Sequence, residues 1–377
     1  MNWRVPLFQL AFGVEEREAA LRVLESQWLS QGPETAGFEE AFAKYTGVKH
    51  AFAVANCTAA LHLAYVVAGV GPDTEVICPS LTFVATANAA YAAGGSARLA
   101  DITSLDDWTV SPASVEALIT PKTRAISVMH YAGYPCDMAA FRALADRHGL
   151  MLVEDCAHAI GTWYDGRHVG GWGDIGCFSF FSNKNLSTGE GGMLTTNRDD
   201  LAEKIRLMRS HGMTSLSFDR HKGHAFSYDV QAKGFNFRMT EITAAIGAEQ
   251  LKKLPANNRR REALTATYRQ ALRDSGLTLP FASCRHQAAY HILPALLPEH
   301  ADRRAFMQGL KDAQVQSSIH YPPVHSFTAY AGHARTSLAL TDIVASREVT
   351  LPLYPTMTDE DVAYVARTVV ETVGTRV

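Results

Sequence analysis

The sequence has no uninterrupted apolar run of the about 18 residues that a membrane-spanning helix requires, and its most apolar stretch, near 81 to 100, is short and rich in Ala and Gly. Its opening, MNWRVPLFQLAFGVEEREAA, lacks a basic segment leading into a purely apolar one, so no secretory signal is read there. It also lacks an excess of charge of one sign. Lys plus Arg number 35 against 38 Asp plus Glu, a net of −3, which excludes bulk attraction to nucleic acid or anionic membrane. Cysteine is scarce: six residues, at 57, 78, 136, 156, 177 and 284, with no CxxC pair. That disfavours a disulfide framework or a zinc site and leaves reduced, mostly buried thiols. A cytoplasmic, soluble protein is expected. With 377 residues, 47% of them hydrophobic and 19% charged, about three quarters of the unfolded surface can be buried, so predominant disorder is excluded as well.

What is present is an alternation. From 51 to 200, short apolar or β-branched runs (51–55, 75–78, 97–100, 125–129, 150–154, 176–181, 193–196) alternate with helix-like segments (58–68, 82–93, 111–119, 138–148, 199–209). This is the pattern of crossover units that build a parallel sheet. Runs such as Leu150-Met151-Leu152-Val153 show no polar alternation, in keeping with strands buried on both faces. Residues 210 to 233 have no period and read as a long loop. Helical spacing returns at 239–254, 256–275, 302–312 and 358–373, with a strand-like piece at 290–297. The expected fold class is α/β: a large domain, 1–250, with a mostly parallel, seven-stranded-type sheet flanked by helices, and a smaller α/β domain, 251–377.

The densest chemical signal is VEDCAHAIGTWYDGRHVGGWGDIGCFSFFSNKNLSTGEGG, from 153 to 192. Asp155 stands at the C-terminal end of a buried strand, where open parallel sheets place their ligand crevices. Lys184 follows the apolar run CFSFF in a polar, Gly-rich loop. Either residue alone reads as a strand-end cap or a solvated lysine. Together, a desolvated amine and an acid point to pyridoxal phosphate (PLP) chemistry, with Lys184 holding the aldehyde covalently and Asp155 keeping the pyridine nitrogen protonated. A second element, NCTAAL at 56–61, lies between a strand and a helix, with Thr58 as the expected cap and free first-turn N–H groups as a phosphate cup. Ser179 is placed to add a hydroxyl to that phosphate, and Phe83 a stacking face for the ring.

These residues together resemble the DegT/StrS family of PLP-dependent sugar aminotransferases, which have the fold-type I, aspartate aminotransferase-like architecture. The likeness runs through WLSQGPETAGFEEAFAKYTG, NCTAALHLA, CPSLTFVATANA, EDCAHAIG, GDIGCFSFFSNKNLSTGEGG, GFNFRMTEITAAIGAEQL, HYPPVH and LPLYPTMTDEDV. By that resemblance Lys184 is the Schiff-base lysine, Asp155 the pyridine-nitrogen partner and Ser179 a phosphate contact. His158 is the residue over the ring near its hydroxyl, Thr58 and Ala59 are the backbone phosphate donors, and Phe83 is the stacking aromatic. Asn236, in GFNFR, matches an asparagine that reaches the neighbouring subunit's cofactor phosphate, which implies a homodimer with shared sites. Cys57 departs from the family's usual Gly or Ser.

The resemblance implies transfer of an amino group from L-glutamate, through pyridoxamine phosphate, to a keto group of a nucleotide-linked sugar. The text FSFF-x-NK followed by TGEGG leans toward 4-keto-6-deoxy sugars. His320, Tyr321 and His325, in and beside HYPPVH, resemble family residues near the sugar, although a structural turn explains them equally. Arg220, His221 and Lys222 read either as diphosphate contacts or as a solvated run. Alternative readings are a sugar dehydratase, a cyclitol aminotransferase, or a non-catalytic PLP-binding regulator. In the dehydratases of the family a histidine replaces the lysine, so Lys184 favours transamination. No helix-turn-helix segment or basic tail supports a regulator.

Overall fold

The structure, a computed structural model, describes residues 3–214, 227–331 and 337–374; Arg220, His221 and Lys222 lie outside them. Two helices, α1 (Val14–Ser26) and α2 (Pro33–Thr46), lead into β1 (His50–Val54). Crossover units follow: α3 (Cys57–Val67), β2 (Glu75–Pro79), α4 (Ala85–Ala92), β3 (Ser96–Ala100), α5 (Pro112–Glu116), β4 (Thr123–Met129), α6 (Met138–His148) and β5 (Met151–Asp155). After a short hairpin of β6 (Trp163–Tyr164) and β7 (Arg167–His168) come β8 (Ile175–Ser179), β9 (Gly192–Thr196) and α7 (Asp199–Met208). Local chemistry sets these boundaries. Helix α6, for example, begins where Asp137 accepts the Ala140 N–H at 3.0 Å and ends on Gly149 at φ 62°, a left-handed conformation that glycine adopts without strain.

The seven strands form one sheet in the order β1-β9-β8-β5-β4-β2-β3. Strands β3, β2, β4, β5 and β8 are parallel, whereas β9 runs antiparallel to both β8 and β1. The reversal follows from the connection: no crossover helix separates β8 from β9, only the polar loop that carries Lys184. Side chains of α3 and α7 (Leu61, Leu63, Leu201, Ile205) pack with Val153, Ile175 and Cys177 in one core. Side chains of α5 and α6 (Val115, Phe141, Leu144) pack with Ile77, Ile126 and Leu152 in another. Burial on both faces places the ligand-accessible edge at the C-terminal ends of β5 and β8.

The next helix, α8 (Glu241–Ala271), joins the two periodic stretches read from the sequence as separate helices. Pro255 lies inside it, yet Leu251, Leu254, Asn258, Arg261, Leu264 and Tyr268 are buried along one side at spacings of three and four. Packing of that stripe offsets the hydrogen bond that the proline removes. The helix runs unbroken across position 250. Beyond it, β10 (Leu293–Leu296) and β11 (Glu348–Leu351) form a two-stranded antiparallel sheet, with α9 (Arg303–Asp312), α10 (Ala339–Arg347) and α11 (Asp359–Gly374) around it. Val5 joins the core of this region with Leu264, Tyr268, Phe306, Val349 and Val365. All six cysteines are free, five of them buried. No described helix is long and apolar enough to cross a membrane.

Candidate active site

Asp155 ends β5 and Lys184 lies five residues beyond β8, so both stand at the same edge of the sheet. They line one cavity of 480 Å³, together with Asn56, Cys57, Thr58, Phe83, His158, Ser179, Asn183, His320 and Tyr321. The Asp155 carboxylate accepts the Thr86 hydroxyl at 2.8 Å on one oxygen and the Ala157 N–H at 3.1 Å on the other. Burial nevertheless pushes its pKa up, against those two hydrogen bonds and the pull of Lys184. The same burial lowers Lys184 from 10.5 to about 8, opposed by the negative charge of Asp155. Asn185 anchors the lysine loop: its amide donates to Asn258 Oδ1 at 2.8 Å and to the Ala289 carbonyl at 2.7 Å, and it accepts from His291 Nδ1 at 3.0 Å.

The N-terminus of α3 forms another wall. Its cap is Asn56, not Thr58: the Asn56 side chain accepts the Ala59 N–H at 2.8 Å, and Thr58 sits in the first turn. Asparagine wins because its Oδ1 reaches the third helical residue from the extended position that precedes the helix. Ala59 is thereby engaged in the cap and does not line the cavity, whereas the N–H groups of Cys57 and Thr58 have no partner among the described residues. Burial, reinforced by Asp155, raises the Cys57 thiol well above its ordinary value, so it packs there as a neutral group. Ser179, the last residue of β8, is buried beside this helix end.

His158 is fully enclosed, and burial holds its pKa well below 6.5, so the ring is neutral near pH 7. Its Nδ1 accepts the Ala132 N–H at 3.2 Å, which puts its proton on Nε2, donated to the Tyr321 hydroxyl at 2.8 Å. The Tyr321 ring lies 5.6 Å from that of Phe83, which is 54% exposed at the mouth of the cavity. His320 also lines the cavity. His325 does not: its ring is held between Ser80 Oγ at 2.6 Å and Asp342 Oδ1 at 2.9 Å. Nor does Asn236, which lines a separate 360 Å³ depression behind the α3 N-terminus with Thr58, Ala59 and His62.

Residues 11–370 match the DegT/DnrJ/EryC1/StrS aminotransferase family. The chain belongs to that family. This aminotransferase is 39% identical over 370 residues, 96% of its length, to the spore coat polysaccharide biosynthesis protein SpsC of Bacillus subtilis (strain 168), covering 95% of that protein. It superposes on PseC of Helicobacter pylori, an aminotransferase involved in the biosynthesis of pseudoaminic acid, with a TM-score of 0.89 and 30% identity over 99% of each chain. It also superposes on Spr1654 of Streptococcus pneumoniae, solved in a PLP-form, with a TM-score of 0.90 and 26% identity over the whole of both chains. The architecture of the aminotransferase is therefore fold type I.

Aminotransferases of this family depend on PLP, and the donor set of the cavity fits such a group. An acid, a perturbed amine and two unpartnered helix N–H groups face one space, and the Asn183 Oδ1 atom in its wall is buried with no partner among the described residues. Gly192 makes the cup possible: a Cβ there would stand 2.6 Å from the Asn56 carbonyl carbon and 2.8 Å from the Cys57 nitrogen. Sequence reading missed the residues that support this constellation, namely Thr86, Asn185, His291 and the Glu348–Thr350 pair behind His320. Only Thr86 carries a local signal, in the spacing of Thr82 and Thr86 over one helical turn.

Proposed function

We propose that this aminotransferase moves the amino group of L-glutamate to a keto group of a nucleotide-linked sugar, with PLP as cofactor and a 4-keto-6-deoxy sugar as the favoured acceptor. The observation that carries the reading is the buried Lys184 amine, at a pKa of about 8, sharing a cavity with buried Asp155 and the open N-terminus of α3. When bound, PLP supplies an electron sink for the carbanion left when a proton departs from the substrate carbon. Asp155, its charge steadied by Thr86 and Ala157, is the counter-ion that keeps the ring nitrogen protonated. The Cys57 and Thr58 N–H groups and the Ser179 hydroxyl meet the phosphate. Phe83 and neutral His158 bound the ring's space, and Tyr321, taking its hydrogen bond from His158, keeps its own proton to offer into the cavity.

Lys184 has two tasks, as covalent anchor and as the base that removes and returns the proton at the substrate carbon. An amine near pKa 8 suits both at neutral pH. The carbohydrate acceptor draws support from SpsC and PseC. A homodimer with Asn236 acting on the partner's phosphate is consistent with its place outside its own cavity, and with exposed Phe12, Leu21, Leu24 and Leu29 on and beside α1. Six unpaired thiols suit a reducing cytoplasm. We take 1–250 as the cofactor domain and 251–377 as the smaller one. The test is spectroscopic: the holoenzyme should show a visible cofactor band that L-glutamate alone bleaches, with release of 2-oxoglutarate. Persistence of the band in Lys184→Ala, or indifference to glutamate, contradicts the reading.

A further inference from the structure

Behind His320, in the cavity wall, lies a chain of buried polar groups that the chemistry above does not use. His320 Nδ1 is 2.9 Å from Thr350 Oγ1, and Thr350 Oγ1 is 2.6 Å from Glu348 Oε1. The other carboxylate oxygen accepts the His320 backbone N–H at 2.9 Å. Glu348 and Thr350, on β11, are 1% and 0% exposed. Among the described residues no cationic side chain is ion-paired with Glu348. Arg303, whose charge reaches it, donates to the carbonyls of Ala345 and Glu348 instead. A carboxyl group sunk in a small sheet with no counter-ion is costly unless its proton is in use. At the other end of the chain, His320 Nε2 has no hydrogen-bond partner among the described residues, and the ring lines the Lys184 cavity.

We propose that Glu348, Thr350 and His320 form a proton relay that opens on the Lys184 cavity at His320 Nε2, with Glu348 the positioning residue that decides whether that nitrogen donates or accepts. The proposal rests on reading the cavity as the transamination site. With Glu348 ionised, Thr350 O–H donates to the carboxylate, His320 Nδ1–H donates to Thr350, and Nε2 is a bare acceptor. With Glu348 protonated, its O–H donates to Thr350, Thr350 donates to Nδ1, and the proton of the ring stands on Nε2. One state becomes the other when a proton accepted at Nε2 drives the Nδ1 proton to Thr350 and the Thr350 proton to Glu348, so the imidazole ends neutral. In the reverse direction Nε2–H gives its proton to the oxygen that a keto substrate loses as water, and Glu348 is left as carboxylate.

Burial pushes Glu348 up to about 7 and His320 down to about 4, so a proton stored in the chain rests on the carboxyl and not as imidazolium. The charged and titratable groups facing the relay are Lys184, which disfavours a charged His320, and Arg303, which favours ionised Glu348. His158 and His291 stand beside His320. Tyr131, whose hydroxyl bonds the His320 carbonyl, and Tyr321 border the carboxylate.

The test is nitrogen NMR of the holoenzyme labelled with 15N-histidine, read between about pH 5.5 and 8.5 around the Glu348 transition. His320 should pass from the Nε2–H to the Nδ1–H tautomer as pH rises through about 7. Glu348→Gln and Thr350→Val should both abolish the pH dependence, and Thr350→Ser should restore it. In turnover, Glu348→Gln should slow both half-reactions about a hundredfold, since one adds and the other removes water at the ketone carbon. A tautomer change that survives in Glu348→Gln or Thr350→Val, or that is missing from the wild-type protein, overturns the relay. The cofactor band reports on the site reading separately: its absence from wild type refutes transamination at Lys184, whatever the histidine signals do.

Discussion

A lysine amine in water is protonated at neutral pH and is then no nucleophile. Lys184 departs from that because its loop carries it into the interior at the sheet edge, where desolvation lowers it from 10.5 to about 8 despite Asp155 nearby. The sign of the pH effect follows. Burial favours the neutral amine, so the reactive fraction grows as pH rises toward 8 and levels off above it. Capture of PLP by the apoprotein should accordingly accelerate close to tenfold per pH unit below about 7 and reach a plateau above about 9. Stopped-flow absorbance measures it, and a rate that keeps climbing about tenfold per unit beyond pH 9, as for a lysine near 10.5, would mean that the amine is not desolvated. Asp155 and Lys184 were legible in the sequence because each follows an apolar run that must be a buried strand. Partners that come from distant segments were not: His158 and Tyr321 are 163 positions apart, and Thr86 and Asp155 are 69 apart.

A strand interior is a poor place for glycine, and Gly192 at the head of β9 is there for its neighbours. The N-terminus of α3 packs so closely on it that a methyl group would overlap Asn56 and Cys57. Gly192→Ala should therefore push the helix end out of place, costing about 1–3 kcal/mol of stability and weakening PLP binding about tenfold. Thermal unfolding with a fluorescence titration of the apoprotein checks both, and unchanged cofactor affinity would remove the α3 N-terminus from the phosphate site. At this scale the sequence identified the crossover helices and most strands, since each carries its own periodicity. It misjudged two features settled by packing or competition, the cap at Asn56 and the passage of α8 through Pro255. In each, the deciding contact lies outside the local pattern, as when the buried stripe of α8 outweighs a missing hydrogen bond.

Helix α8 packs Leu251 and Leu254 into a core with Phe178 and Met193 of the large sheet, and Leu264 and Tyr268 into the core around β10 and β11, and the Lys184 cavity draws on both regions. Asp155, Ser179 and the α3 N-terminus come from the large sheet, whereas His320 and Tyr321 come from the segment leading to β11. A net charge of −3 gives no hint of phosphate binding, because the groups proposed to meet a phosphate are backbone N–H donors and one hydroxyl, not surplus lysines. The near balance of charge that argues against bulk attraction to nucleic acid is thus compatible with an anionic cofactor and an anionic sugar nucleotide. Amino transfer between two substrates through Lys184 is the central claim. The most direct measurement is to incubate the holoenzyme with 15N-labelled L-glutamate and a panel of 3-keto and 4-keto nucleotide sugars, and to weigh the products. The account predicts one 15N atom in an amino sugar formed from a 4-keto substrate, and none with Lys184→Ala. Failure of every keto sugar to take up 15N, or uptake that persists without Lys184, would contradict it.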